Sequence, residues 1–187
     1  MQTSTLRIRP RQAAMAALFA GLTALGAFIR VPLPVPLTLQ TAAVLLSGIV
    51  LGPGLGALSQ VVYLVIGLMG APVFAQGAGP GYVLNPTFGY LVGFIGGAAA
   101  AGALAGDWRR AGTLRLAVAM AGGLAVIYLC GVSYLYWNIT VLQDKDLSFL
   151  HVAWTGCLVP LPGDLIKILL LLPLIQVLKR RGVMFTP

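Results

Sequence analysis

Long apolar runs separated by short polar, proline-rich or glycine-rich breaks make up almost the whole of this chain. Six runs stand out, over 13–30, 38–51, 55–70, 86–105, 114–137 and 155–178. Backbone groups in hydrocarbon must be satisfied within the segment, so each run reads as helix. A helical crossing takes about 20 apolar residues. The runs 38–51 and 55–70 are short for this, and suit either two tilted helices or one broken span.

The breaks carry their own information. Pro32, Pro34 and Pro36 fix an extended connector, which must lie outside the hydrocarbon or line a cavity. Thr38 is placed to cap the second run, and Gln40 sits in its first turn. Gly52-Pro53-Gly54 is a tight break, and 70–84, with Phe74, Gln76 and Tyr82 among glycines, reads as a passive link or a folded lid. Asn85 is both a good helix cap and a good ligand contact. Gly89, Gly93 and Gly97 repeat every fourth residue, a ridge that favours close helix packing. Ala13, Ala16, Ala17, Ala20 and Ala24 form a similar ridge on the first helix, facing either this protein's own bundle or a separate membrane subunit. Three arginines before that run also resemble a secretory leader, but the alanine spacing is better explained by packing.

Composition narrows the class. The chain has 187 residues, is 59% hydrophobic and 9% charged, and holds no glutamate, so it is an integral membrane protein of one domain. No segment remains for a nucleotide-binding module and the Walker pattern is absent, so energy must come from elsewhere. The net charge of +8 lies in clusters flanking the apolar runs, which is a topology signal and argues against nucleic acid. With six crossings, Arg7, Arg9, Arg11, Arg109, Arg110, Arg115, Lys179, Arg180 and Arg181 share one side: nine of the twelve basic residues. Merging the second and third runs would divide the clusters across both sides. The expectation is therefore an all-α bundle of six transmembrane helices with both termini cytoplasmic, residues 1–12 forming a cytoplasmic N-terminal segment.

Asp164 and Lys167 are the candidate chemistry. A charge near a bilayer centre costs about 2.5–3.5 kcal/mol on insertion scales, so intramembrane charges are functional candidates by default. Three residues apart on a helix, the acid and base project from one face. If the helix restarts at Asp164 after Pro160, Pro162 and Gly163, the carboxylate is either an N-cap with Lys167 merely paired to it, or half of a site for a polar, anionic ligand. His151 has no second imidazole or carboxylate run beside it, and Cys130 and Cys157 form no ligand pair, so no metal site is expected. Only Asp164 of the four aspartates lies at depth, which leaves no catalytic set for an intramembrane enzyme. A self-sufficient carrier is the other alternative, and no inverted repeat favours it.

The runs Pro36-Leu37-Thr38-Leu39-Gln40-Thr41, Leu51-Gly52-Pro53 with Leu55 to Gln60, Pro72-Val73-Phe74, Pro86-Thr87 with Gly89-Tyr90-Leu91, and Pro162-Gly163-Asp164-Leu165 with Lys167 together resemble the BioY family. Its members are the biotin-specific, substrate-binding S components of energy-coupling-factor transporters. The resemblance covers nearly the whole chain in order. It implies a multi-pass protein of the bacterial cell membrane that binds biotin from outside without a cofactor. It also implies a coupling transmembrane subunit that receives the alanine face of helix 1, and cytoplasmic ATPases that alone use ATP. The family's polar site maps onto Asp164 and Lys167, and further onto Asn85, Gln40 and Tyr90, while Phe88 stands where a glycine is expected. Asp164 suits the ureido N–H donors of biotin, and Lys167 either its carboxylate or its ureido carbonyl. Phe74, Tyr82 and Tyr90 are candidates for apolar walls.

Overall fold

The computed structural model describes residues 9–181. Arg7 and most of the expected cytoplasmic segment lie outside the described residues. Helix α1 spans Pro10–Phe28, α2 Gln40–Leu68, α3 Phe88–Ala105, α4 Thr113–Trp137, α5 Phe149–Ala153 and α6 Leu161–Arg180. A π-helical turn extends α4 to Leu142, and a second joins α5 towards α6. Among the described residues, five helical stretches are long and apolar enough to cross a membrane: Pro10–Phe28, Gln40–Leu68, Phe88–Ala105, Thr113–Leu142 and Phe149–Arg180.

The expected runs 38–51 and 55–70 thus fall within one helical stretch, but α2 is not one rod. Gly52 is non-helical, at φ 81° and ψ 175°, in the left-handed region that favours glycine. Gln40 Nε2 donates to Tyr63 Oη at 2.5 Å, and Gln60 Nε2 to Ser47 Oγ at 3.3 Å. A straight helix, rising roughly 1.5 Å per residue, would hold Gln40 and Tyr63 about 34 Å apart. The chain therefore doubles back at Gly52, and residues 40–51 and 53–68 are antiparallel arms.

Small residues let the rods close up. A Cβ on Gly48 would stand 2.1 Å from the Ala98 carbonyl oxygen, so the first arm of α2 lies directly on the backbone of α3. Gly89, Gly93 and Gly97 receive α4 in the same way, with Tyr134, Ile127 and Gly123 in the space that side chains would need. Between α1 and the two arms, Thr23 donates to Gln60 Oε1 at 3.2 Å, and Gln60 Nε2 also reaches Ser59 at 2.9 Å. All these polar groups are fully buried and partnered, which ties three rods together.

The proline connector folds as a two-residue antiparallel pair, β1 (Arg30–Val31) with β2 (Leu37–Thr38), Arg30 opposite Thr38. The paired residues flank the prolines and 33–35 is a bend, so the expected extended connector is a tight hairpin outside any helix. The 70–84 stretch is a folded cover: Gly79 N–H donates back to the Gly67 carbonyl at 2.8 Å, and Pro80–Leu84 is a short 3-10 helix.

Two ends of the bundle differ in charge. Lys179 donates to the Ala111 carbonyl at 2.6 Å and Gln176 to Thr113 at 2.9 Å, which joins the end of α6 to the α3–α4 connection. Gly102 abuts Gly52 and Pro53, which brings the α2 turn to that end too, and Gly26 abuts Gln40, which puts the start of α1 there. Arg9, Arg11, Arg109, Arg110, Arg115, Lys179, Arg180 and Arg181 collect at this basic end. From Gly52, the first arm of α2 rises about 18 Å to Gln40. Gln40 therefore lies inside the bundle, roughly beyond the middle of a ~30 Å hydrocarbon layer.

Candidate functional site

α6 begins at Leu161 with Pro160 at its cap, so the helix is already under way at Asp164, whose own N–H donates to the Pro160 carbonyl at 3.2 Å. The expected restart at Asp164 is corrected: proline is tolerated in a first helical turn, where its missing N–H costs nothing. Asp164 makes no capping bond, and its carboxylate points instead into the bundle.

Asp164 is 3% exposed and Lys167 8%. Lys167 Nζ lies 2.5 Å from Asp164 Oδ1, in the single buried ion pair among the described residues. Two hydroxyls complete the acid: Thr41 donates to Oδ1 at 2.7 Å and Tyr128 to Oδ2 at 2.5 Å. Besides the acid, Lys167 donates to the Thr38 carbonyl at 2.5 Å and to Thr41 Oγ1 at 3.0 Å. An ammonium has three N–H groups, and all three are used. A buried pair holds only if its remaining donors and acceptors are satisfied, and this network satisfies them with groups from α2, α4 and α6.

The pair borders a cavity of about 50 Å³, room for roughly four waters. Around it stand the connector (Val35 to Thr38), Gln40, Tyr82, Thr87, Tyr90 and the apolar Leu91, Phe94 and Ile127. A second cavity of about 210 Å³ lies between the connector and the α4–α5 region.

Of the residues expected from the sequence, Asp164, Lys167, Gln40, Tyr90 and Tyr82 border the first cavity. Gln40 is held by Tyr63 and by the Thr38 hydroxyl, which donates to Gln40 Oε1 at 3.0 Å. Tyr90 donates to the Gly156 carbonyl at 2.7 Å. Tyr82 Oη lies 3.2 Å from Thr87 Oγ1, and burial pushes its hydroxyl above the ordinary range, which keeps it neutral.

Phe74 and Asn85 stand one layer back. Phe74 packs between Tyr63 and Tyr82, with ring centroids at 5.5 and 4.6 Å, and so supports the wall instead of forming it. Asn85 Oδ1 accepts the N–H of Thr87 at 2.9 Å and its hydroxyl at 2.8 Å, which positions Thr87 at the cavity. The alanine ridge of helix 1 also divides. Ala16 and Ala20 are buried against the bundle and Ala24 half so, whereas Ala13 and Ala17 are exposed. At roughly 100° per residue, positions 16 and 17 cannot share a face.

The BioY family matches residues 1–182 of this sequence. The chain belongs to the BioY family. A probable biotin transporter BioY from Lysinibacillus sphaericus is 46% identical over 156 residues, 83% of this chain and 77% of that protein. The biotin transporter BioY of Thermotoga maritima is 41% identical over 147 residues, 77% of this chain and 86% of that one. Among solved structures, the S-component for biotin from an ECF-type ABC transporter shares the fold, with a TM-score of 0.79 over 95% of both chains at 21% identity. BioY relatives are transport proteins and not enzymes, and the present chain is a multi-pass membrane protein.

Sequence reasoning on this BioY chain missed Thr41, Tyr128 and Thr87. Tyr128 had a signal: a phenol in mid-run, where a buried hydroxyl needs a partner. Thr41 and Thr87 lay within the family-like runs but carry no charge to single them out. Phe88 starts α3 with no positive φ and packs edge-on against Tyr134 at 5.8 Å, so the helix forms there without a glycine.

Proposed function

We propose that this chain is the biotin-binding subunit of an energy-coupling-factor transporter, capturing biotin from outside the bacterial cell membrane for ATP-driven uptake. The observation that carries the reading is the Asp164–Lys167 pair, buried beside a cavity with further donors from α2 and α4, in a chain whose relatives are named as biotin transporters. Biotin presents two ureido N–H donors, which suit a carboxylate, and an apolar ring, which suits Tyr90, Leu91 and Phe94. Asp164 already accepts three hydrogen bonds and a carboxylate accommodates about four, so one ligand N–H finds a vacant acceptor site and a further donor requires an exchange. The Thr41 hydroxyl, which both donates to Asp164 and accepts from Lys167, is the group best placed to turn away.

The arms of α2 count as two crossings, giving six, and the basic end is cytoplasmic by the positive-inside tendency. The cavity, its proline connector and its 70–84 cover then face outside. The coupling transmembrane subunit meets helix 1 through the exposed Ala13 and Ala17, and the ATPases act from the cytoplasm.

Titration of the detergent-solubilised chain against a vitamin panel tests the reading. Saturable one-site binding of biotin alone is expected, together with at least a hundredfold loss in the Asp164→Asn/Lys167→Met double variant. Biotin affinity unchanged in that variant would remove the pair from the site, and binding of another vitamin in preference to biotin would overturn the assignment.

A further inference from the structure

We propose that the corner between α3 and α4, at the basic end of the bundle, is a docking surface for an anionic phospholipid. Its headgroup phosphate lies at Arg110 and Arg115, and an acyl chain runs along Leu104 and Val118. This needs only that the chain spans a membrane and does not depend on the ligand of the cavities. Residues 106–112 form a fixed turn: the N–H groups of Arg110 and Ala111 both donate to the Asp107 carbonyl at 3.0 Å, and Trp108 is buried. Two guanidinium groups flank that turn. Arg110 Nε lies 3.4 Å from Asp107 Oδ2. Arg115 Nε donates to the Leu104 carbonyl at 3.0 Å, and its Nη2 lies 2.9 Å from where a Cβ on Gly106 would stand.

Topology alone asks for positive charge near a helix end and fixes no side chain. Arg115 is fixed by its Nε bond, yet its terminal N–H groups have no hydrogen-bond partner among the described residues. A guanidinium held in this way presents a planar fork that suits a phosphate. The Arg110 side chain is 90% exposed, and its exposed ion pair is worth little, so a phosphate can share it. Asp107 is the sole acid at this end among the described residues, against eight cations, so the field there attracts anionic lipid. The apolar half of the surface adjoins the same two arginines. Arg115, Val118 and Gly122 follow one face of α4, and Leu104 Cδ1 lies over Gly122, 2.5 Å from where a Cβ would stand. Leu104 and Val118 are both exposed on the outside of the bundle. The helical stretch Thr113–Leu142 has 30 residues. It rises roughly 45 Å against a hydrocarbon layer of ~30 Å, so its first turn, with Arg115, stands at headgroup level.

Native mass spectrometry of the detergent-purified chain, titrated with dioleoyl phosphatidylglycerol and with dioleoyl phosphatidylcholine, tests the proposal. Phosphatidylglycerol is expected to bind at least tenfold more tightly. The Arg110→Gln/Arg115→Gln double variant should weaken it at least fivefold and leave phosphatidylcholine unchanged, which also checks that the variant is folded. Arg180→Gln/Arg181→Gln removes the same charge from the end of α6 and should change phosphatidylglycerol less than twofold. Equal binding of the two lipids, or equal losses in the two double variants, overturns the site and leaves only diffuse charge. Glycerol 3-phosphate, a soluble phosphate without acyl chains, should not displace the lipid; displacement would make the ligand a free phosphate. Parental phosphatidylglycerol binding in the Arg110/Arg115 variant, with co-purification of the coupling subunit lost, would assign the surface to a protein partner instead.

Discussion

At the scale of single residues, the site is a closed account of donors and acceptors. Asp164 and Lys167 are paired where both are buried, and Thr41, Tyr128 and the Thr38 carbonyl supply their further hydrogen bonds. Removing one partner of such a pair leaves an uncompensated buried charge, at a cost of roughly 3–5 kcal/mol, whereas replacing both is often close to neutral. Asp164→Asn alone should therefore lower the thermal midpoint in detergent clearly, and adding Lys167→Met should restore most of it without restoring biotin binding. A restored midpoint with restored binding would make the pair a structural device only. Tyr128→Phe removes one charge-assisted bond to Asp164, worth about 1.5–3 kcal/mol, and titration should register it as a biotin affinity weaker by tenfold or more. The two charges were legible in the sequence because charge at membrane depth demands an explanation. Thr41 and Tyr128 were not, because neutral hydroxyls are ordinary in helices until a fold aims them at a carboxylate.

At the scale of elements, backbone approach decides what packs on what. Gly48 rests against the Ala98 carbonyl, and Gly102 against the Gly52 turn. Gly48→Val should separate the first arm of α2 from α3 at an overpacking cost of about 1–3 kcal/mol, read as a lower thermal midpoint. Because the same arm carries Gln40 and Thr41 to the cavity, biotin affinity should fall with it. A variant that melts like the parent would show that the contact is not tight in solution. The break at Gly52-Pro53-Gly54 was visible in the sequence, but composition left open whether two helices or one broken span follow from it. The hydrogen bonds Gln40–Tyr63 and Gln60–Ser47 settle the fold-back, and no single-segment signal contains them. The start of α6 departs from expectation for the opposite reason: Pro160, Pro162 and Gly163 look like a break that delays the helix to Asp164, yet Pro160 is only its cap and Pro162 lies in the first turn, where proline is tolerated.

At the scale of the whole molecule, one end is basic and the other holds the cavities, with helix 1 presenting two different faces along its side. Ala20 is buried against the bundle and Ala17 is exposed. Ala17→Trp should leave biotin titration unchanged and prevent co-purification with the coupling subunit, while Ala20→Trp should lower the thermal midpoint of the isolated chain. Normal assembly and uptake with Ala17→Trp would place the partner contact elsewhere. Hydrophobic run lengths, the clustering of arginine and lysine, and one acid three residues before one base were enough to establish a helical membrane protein with a charged pair at depth. Each of those follows from the cost of moving polar groups out of water, which a linear sequence states directly. Which alanines face out, which hydroxyls complete the carboxylate, and whether Phe74 forms the wall or stands behind it depend on rotations of helices about their axes and on contacts between distant segments. Only the assembled bundle decides these, because small and neutral side chains cost little in either position until a neighbour is fixed beside them.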